Sequence, residues 1–248
     1  LVGDFLLATS LKEAALTADI QIVNLVAKLG QNLSEGEIIQ LSNINASDFS
    51  EEVYFEVIRK KTAALFAACA EAGARSAHSS DEMAKKAYLL GEMIGISFQI
   101  KDDIFDYYPS TEIGKPTAND MREGKLTLPA LYVLNNTNDE KIKNLAFRIR
   151  SLEATKEEID GFIDYVKENG GMEYARKIMV EYRNKALDLL PPQTSLPLRE
   201  ALAAYKEAEK KKILVPTESA PETISESNLS PKEQFKKQLL QSITAVLQ

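Results

Sequence analysis

The stretch from Asp81 to Tyr108, "DEMAKKAYLLGEMIGISFQIKDDIFDYY", meets no proline until Pro109. Its middle is apolar nearly all round, the pattern of a helix covered by neighbours on several sides. It then ends in three acids, Asp102, Asp103 and Asp106. A chain carrying such a segment must supply other helices to enclose it. Elsewhere apolar residues recur at three and four, and no long stretch alternates as a strand would, so the predicted fold class is all-α. Gly91 and Gly95 each cost about 1 kcal/mol in helix propensity relative to Ala, a cost tolerable where they let another helix approach closely.

Local signals divide the rest. Ser34 followed by Glu37 resembles a capping box opening a short helix, "EGEIIQLS", and Ser50 or Asp48 caps a long helix through "EEVYFEVIRKKTAALFAACAEA" that should end near Gly73. Ser80 or Asp81 starts the next. A polar loop, "STEIGKPTANDMREGK", leads to a helix from "LTLPALYVLNN", broken again over Asn135 to Asp139. Gly170 and Gly171 stop "TKEEIDGFIDYVKENGG", and "MEYARKIMVEYRNKALDLL" runs to Pro191 and Pro192. "LPLREALAAYKEAEKKK" reads as the last helix of a main domain spanning 1–212. Residues 213–230 have linker composition, rich in Pro, Ser, Thr and Glu. In 231–248, Phe235, Leu239, Leu240, Ile243, Val246 and Leu247 share one face of an amphipathic helix. That tail helix is expected to pack on its own domain, on another subunit or on a membrane surface.

The formal charge of −7 argues against nucleic-acid binding through overall attraction to phosphate, so any phosphate site must be local. No apolar run approaches the roughly 20 residues of a transmembrane span. The single cysteine, Cys69, cannot form an internal disulfide and reads as a small apolar residue on a helix. The single histidine, His78, reads as a loop residue, and the chain offers neither a zinc cluster nor a Ser-His-Asp triad. Without cysteine pairs or a signal peptide, a cytoplasmic protein is expected.

On a helix Asp102 and Asp106 lie one turn apart, with Asp103 about 100° round from Asp102. At an effective dielectric near 20, each close pair of full charges repels by roughly 3 kcal/mol. A solvated helix end relieves that repulsion, and so does a bound cation. Hard oxygen ligands suit magnesium with waters and a phosphate; the spacing does not fit an EF-hand calcium loop. Lysines recur where an anion would sit beside such ions: Lys61 next to Thr62, Lys115 after Gly114 and Lys125 after Gly124. Lysine supplies point charge and Thr62 a hydroxyl donor, as a metal-diphosphate site requires.

At these residues the chain resembles the trans-prenyl diphosphate synthases that build linear isoprenoids. "GISFQIKDDIFDYY" is similar to their second aspartate-rich motif, "KKTAALF" to their Lys-Thr element and "GKPTANDMREGKLTLPAL" to their paired lysine segment. The resemblance runs from Leu1 to about Lys212. It implies an isoprenoid synthase-type helical bundle around a central apolar cavity. It implies that Asp102, Asp103 and Asp106 hold Mg2+ on an allylic diphosphate, and that Lys61, Thr62, Gln99, Lys115 and Lys125 contact that diphosphate. Asp102, Asp103 and Lys61 are then the catalytic residues.

The implied reaction joins isopentenyl diphosphate to an allylic primer of the farnesyl or geranyl type, giving a medium- or long-chain all-trans product. A homodimer is expected, with peripheral membrane contact for product release. "LVGDFLLA" resembles the segment that follows the family's first aspartate-rich motif, which Asp4 alone does not replace, so a preceding segment is expected. A non-catalytic subunit modulating a catalytic partner is the alternative. A terpene cyclase ranks below both, because "EGKLTLPAL" and "KKTAALF" resemble the chain-elongating branch.

Overall fold

The computed structural model describes residues 1–46, 48–108 and 118–190. All of them belong to the first of the two units into which the chain divides, Leu1–Leu202 and Ala203–Gln248. The expected last helix of the main domain, the linker and the tail helix lie outside the described residues, as does Lys115.

The organising element is α5, Asp81–Asp106, capped by Ser80, whose Oγ accepts the N–H of Met83 at 3.3 Å. It buries Ile96, Ile100 and Ile104. Its principal neighbours are α4 (Ala64–Ser76) and α10 (Gly171–Leu189). The two glycines act as expected: a Cβ on Gly91 would lie 2.4 Å from the Phe66 carbonyl oxygen, and one on Gly95 2.5 Å from the Ala63 Cα. The enclosure is less complete than the apolar ring predicts, because Leu89, Phe98 and Phe105 are about half exposed.

Ser50 caps α3, Glu51–Ile58, by accepting the N–H of Val53 at 3.2 Å. Where one unbroken helix is predicted, a π turn over Arg59–Ala63 separates α3 from α4. The end also moves, from Gly73 to Ser76, because the left-handed residue that turns the chain away is His78, with φ 55°. His78 is therefore in the connection, as read from sequence. Cys69 is on α4 but exposed, one turn from the exposed Leu65 on its outer face.

The predicted break at Ser34 does not occur. Helix α2, Ile20–Ser42, is capped by Asp19 and continues through Ser34, whose Oγ donates back to the Gly30 carbonyl at 3.1 Å. Before it, α1 (Val2–Leu16) buries only Ala14, and Phe5, Leu6 and Leu7 are exposed. Beyond α5 come the four-residue α6 (Asn119–Arg122), α7 (Leu128–Asn136) with Pro129 in its first turn, α8 (Glu140–Arg150) and α9 (Lys156–Glu168). Thr155 and Glu158 form a full capping box on α9. Phe162, Leu128, Leu134 and Ile149 are almost fully buried with Ile96 and Ile100, each contributing about 1.5–3 kcal/mol.

The buried Arg150 ties α8 to the segment before α3. Arg150 donates to the carbonyls of Ala46 at 2.8 Å and Asp48 at 3.0 Å, and its guanidinium lies 4.9 Å from the Phe49 ring centre. It thereby holds the segment that leads into α3. Arg150→Ala is expected to cost about 3 kcal/mol, from the two carbonyls left unpaired and the lost packing, measured by urea denaturation.

Candidate diphosphate site

The C-terminal half of α2, α3 with the π turn, α5 and the segment from Asp120 to Thr127 line most of one cavity of about 300 Å³, to which Leu131 of α7 and Arg150 of α8 also contribute. Lys61, Thr62, Gln99, Asp103 and Lys125 all line it. These are five of the residues marked in the sequence, drawn from positions up to 64 apart in the chain. The π turn carries two of them, Lys61 and Thr62. A π turn inserts one residue into the helix and rotates the turns after it, a device common at functional sites.

Three side chains form a connected chain of hydrogen bonds ending on a carboxylate. Thr62 Oγ1 donates to Gln99 Oε1 at 2.6 Å, and Gln99 Nε2 donates to Asp103 Oδ1 at 2.8 Å. The second Asp103 oxygen accepts from the Tyr54 hydroxyl at 2.6 Å. Asp103 is 3% exposed. Burial pushes its carboxyl up to about 7 despite those two hydrogen bonds, and the charges of Asp120 and Asp102 push the same way. The Tyr54 phenol is pushed up as well, by burial first and then by Asp103.

The three motif aspartates occupy three different environments. Asp102 is exposed, and neither it nor Asp106 lines the cavity. Asp106 accepts the backbone N–H groups of Asn119 at 3.1 Å and Asp120 at 3.0 Å, capping the first turn of α6. That contact carries Asp120 to the cavity wall, where burial, then the charge of Asp106, pushes its carboxyl up to about 6. Lys125 pairs with Glu123 at 2.5 Å. Its backbone N–H reaches the Asp120 carbonyl at 2.7 Å across Gly124, whose φ of 75° favours glycine.

Tyr54, Asp120 and Gln40 are cavity residues unmarked in the sequence, and Glu37 was marked there only as a helix cap. Asp120 had a visible signal, an acid inside the loop already marked for its lysines. Tyr54 had none, since one tyrosine on a helix face carries no mark of its partner.

The donors suit magnesium in kind. Asp102, Asp103, Asp106 and Asp120 carry hard oxygen donors, and the negative charges of Asp102, Asp106 and Asp120 raise the proton affinity of neighbouring carboxyls, so a cation would relieve them. Among the described residues no three such side chains converge to ligate an ion by themselves. Mg2+ keeps several waters and takes one or two carboxylates plus phosphate oxygens, so a preformed cage is not required. No helix among the described residues is long and apolar enough to cross a membrane.

The profile of the family described as polyprenyl synthetase matches residues 1–166. Heptaprenyl diphosphate synthase component 2 of Geobacillus stearothermophilus is 34% identical over 200 residues, covering 80% of this chain and 60% of the relative. The chain thus spans about 60% of the length of that curated relative. Among solved structures, geranylgeranyl pyrophosphate synthase from Bacteroides thetaiotaomicron is 55% identical with a TM-score of 0.77, covering 83% of this chain and 68% of that one. Polyprenyl synthase from Caulobacter crescentus, described as complexed with calcium and isoprenyl diphosphate, is 32% identical with a TM-score of 0.73, covering 81% and 62%. On the profile match and the helical fold in common with solved relatives, this chain belongs to the polyprenyl synthetase family.

Proposed function

We infer that this chain is a trans-prenyltransferase that condenses isopentenyl diphosphate with an allylic diphosphate primer. The observation that carries this reading is the convergence of Lys61, Thr62, Gln99, Asp103 and Lys125 on one cavity. Family members bind isoprenyl diphosphates and are generally magnesium-dependent. The allylic carbon–oxygen bond breaks with its electron pair going to the departing diphosphate, and fixed cations stabilise the charge that grows there. Lys61 and Lys125 supply such cations, with Lys115 assigned beside them by the resemblance. The double bond of isopentenyl diphosphate supplies the electron pair of the new carbon–carbon bond, and loss of a proton restores a double bond. Half-buried Val53 and Val57 and buried Ile58 form an apolar part of the lining that would limit the access of water to the cation. Asp102, Asp103 and Asp106 would hold Mg2+ with the diphosphate, and what that ion supplies when bound is neutralisation of the departing oxygens.

The relative named for a heptaprenyl product supports medium or long chains, whereas the Bacteroides structure is named for the shorter geranylgeranyl product. A homodimer in the cytoplasm, with peripheral membrane contact for product release, belongs to the same proposal. The second reading, a non-catalytic subunit that modulates a catalytic partner, draws on the word "component" in the Geobacillus name.

Incubation with farnesyl diphosphate, labelled isopentenyl diphosphate and Mg2+, followed by product mass, tests the reading. Elongated polyprenyl diphosphates are expected, with turnover about a hundredfold lower in Lys61→Ala. Product formed only with an added partner chain would favour the second reading. Absence of both product and magnesium-dependent diphosphate binding would overturn both.

A further inference from the structure

Lys61, the lysine set against the diphosphate, already has partners. Its ammonium donates to the Glu37 carboxylate and, at 2.6 Å, to Gln40 Oε1. An ammonium carries three N–H donors, so two of the three are committed to α2. Lys125 is engaged in the same way by Glu123. Hydrogen bonding and attraction from Lys61 hold the Glu37 carboxyl below the usual carboxylate range, with a smaller pull from Lys125. Lysines, carboxylates and Gln40 line the same cavity. The cations that would serve a bound anion therefore have resident anions of their own.

The arrangement is built into the helix packing. Glu37 and Gln40, three residues apart, share one face of α2. Gly36 beside them brings the α2 backbone onto the π turn: a Cβ there would lie 2.7 Å from Lys61 Cγ and 2.9 Å from Lys60 Cβ. The adjacent pair Glu35–Lys60 joins the same two elements at 2.7 Å but is not part of the cavity lining. It is a natural control for an ion pair that serves packing alone.

We propose that Glu37 is a positioning counter-ion that the diphosphate displaces from Lys61, and that reclaims Lys61 as inorganic diphosphate leaves. The inference rests on the proposed function, in which each condensation frees one inorganic diphosphate. Cations without competing partners would retain that product. Glu37 lowers its affinity in two ways: only molecules with Lys61 released bind it fully, and the carboxylate repels it. Gln40, being neutral, holds the ammonium in either state. The side chains of Lys61 and Glu37 are 31% and 52% exposed, so the competition has the strength of a screened pair.

Titration calorimetry of the full chain with inorganic diphosphate and Mg2+ is the test. Glu37→Gln keeps an acceptor oxygen for Lys61 and removes the charge. Its Kd is expected to fall about three- to tenfold, with slower dissociation, while Glu35→Gln leaves Kd unchanged. Structural damage would weaken binding, so a gain in affinity separates competition from a merely structural role. Unchanged or weaker binding by Glu37→Gln, with wild type binding and Lys61→Ala impaired, overturns the counter-ion and leaves the proposed function standing. If wild type does not bind, or Lys61→Ala binds equally well, the site assignment falls and the counter-ion falls with it.

Discussion

Asp103→Asn is expected to make the protein more stable at pH 8 and to abolish its function. The Asp103 carboxyl sits at about 7 in the folded chain against an ordinary 3.8, with burial the largest cause. Between those values the native state holds a proton that the unfolded chain has lost. Stability therefore falls as pH rises through that window. From pH 5 to pH 8 the loss attributable to this one group is about 2 to 3 kcal/mol. Asparagine does not ionise, and it keeps an acceptor for Gln99 and a donor that the Tyr54 oxygen can accept.

The melting temperature of Asp103→Asn should thus pull ahead of wild type by about 5–10 °C more at pH 8 than at pH 5. A gap independent of pH would show that Asp103 ionises as an ordinary surface acid. Over the same comparison, turnover is expected to fall by about a hundredfold or more, since the variant lacks the charge that the proposed metal-diphosphate complex needs. Gain of stability with loss of activity marks a carboxylate kept buried for function rather than for folding.

Gly95→Ala should be among the most damaging single changes available outside the cavity. On propensity alone it would stabilise α5 by about 1 kcal/mol. Its new Cβ, however, would lie 2.5 Å from Ala63 Cα and 2.9 Å from Ala63 Cβ, and neither backbone can yield without moving a helix. A net loss of about 3 kcal/mol is expected in urea denaturation, at the upper end for overpacking. Ala63 closes the π turn that carries Lys61 and Thr62, so any displacement reaches the cavity. Affinity for diphosphate should fall together with stability.

Gly161→Ala supplies the contrast. That glycine is on α9 with nothing within 4 Å of the added methyl, and the variant should gain up to about 1 kcal/mol. Equal behaviour of the two variants would mean that the contact between the π turn and α5 is looser than these distances imply.

Helix starts were legible where the signal is confined to one turn. Ser50 and Ser80 each accept an N–H three residues on, an interaction that the intervening residues alone permit. The same logic misread Ser34. Its hydroxyl turned backward, because α2 continues across the π turn, with Gly36 in contact at Lys60 and Lys61. Cavity lysines and the second aspartate motif were legible as residue types in order, which is how the family resemblance arose.

Periodicity and contacts spanning four residues or fewer were enough for the sequence by itself to determine the helical class, the starts of α3 and α5, the end of α9 and the set of charged residues available to a diphosphate. Only the tertiary structure decided that Asp103 is buried while Asp102 is exposed, that Asp106 spends both oxygens on α6, and that Lys61 meets Glu37. Asp103 meets Tyr54 across 49 residues of chain, and Lys61 meets Glu37 across 24. Burial and charge pairing at such separations depend on which helix faces pack together, and the π turn and the close glycine contacts set those faces.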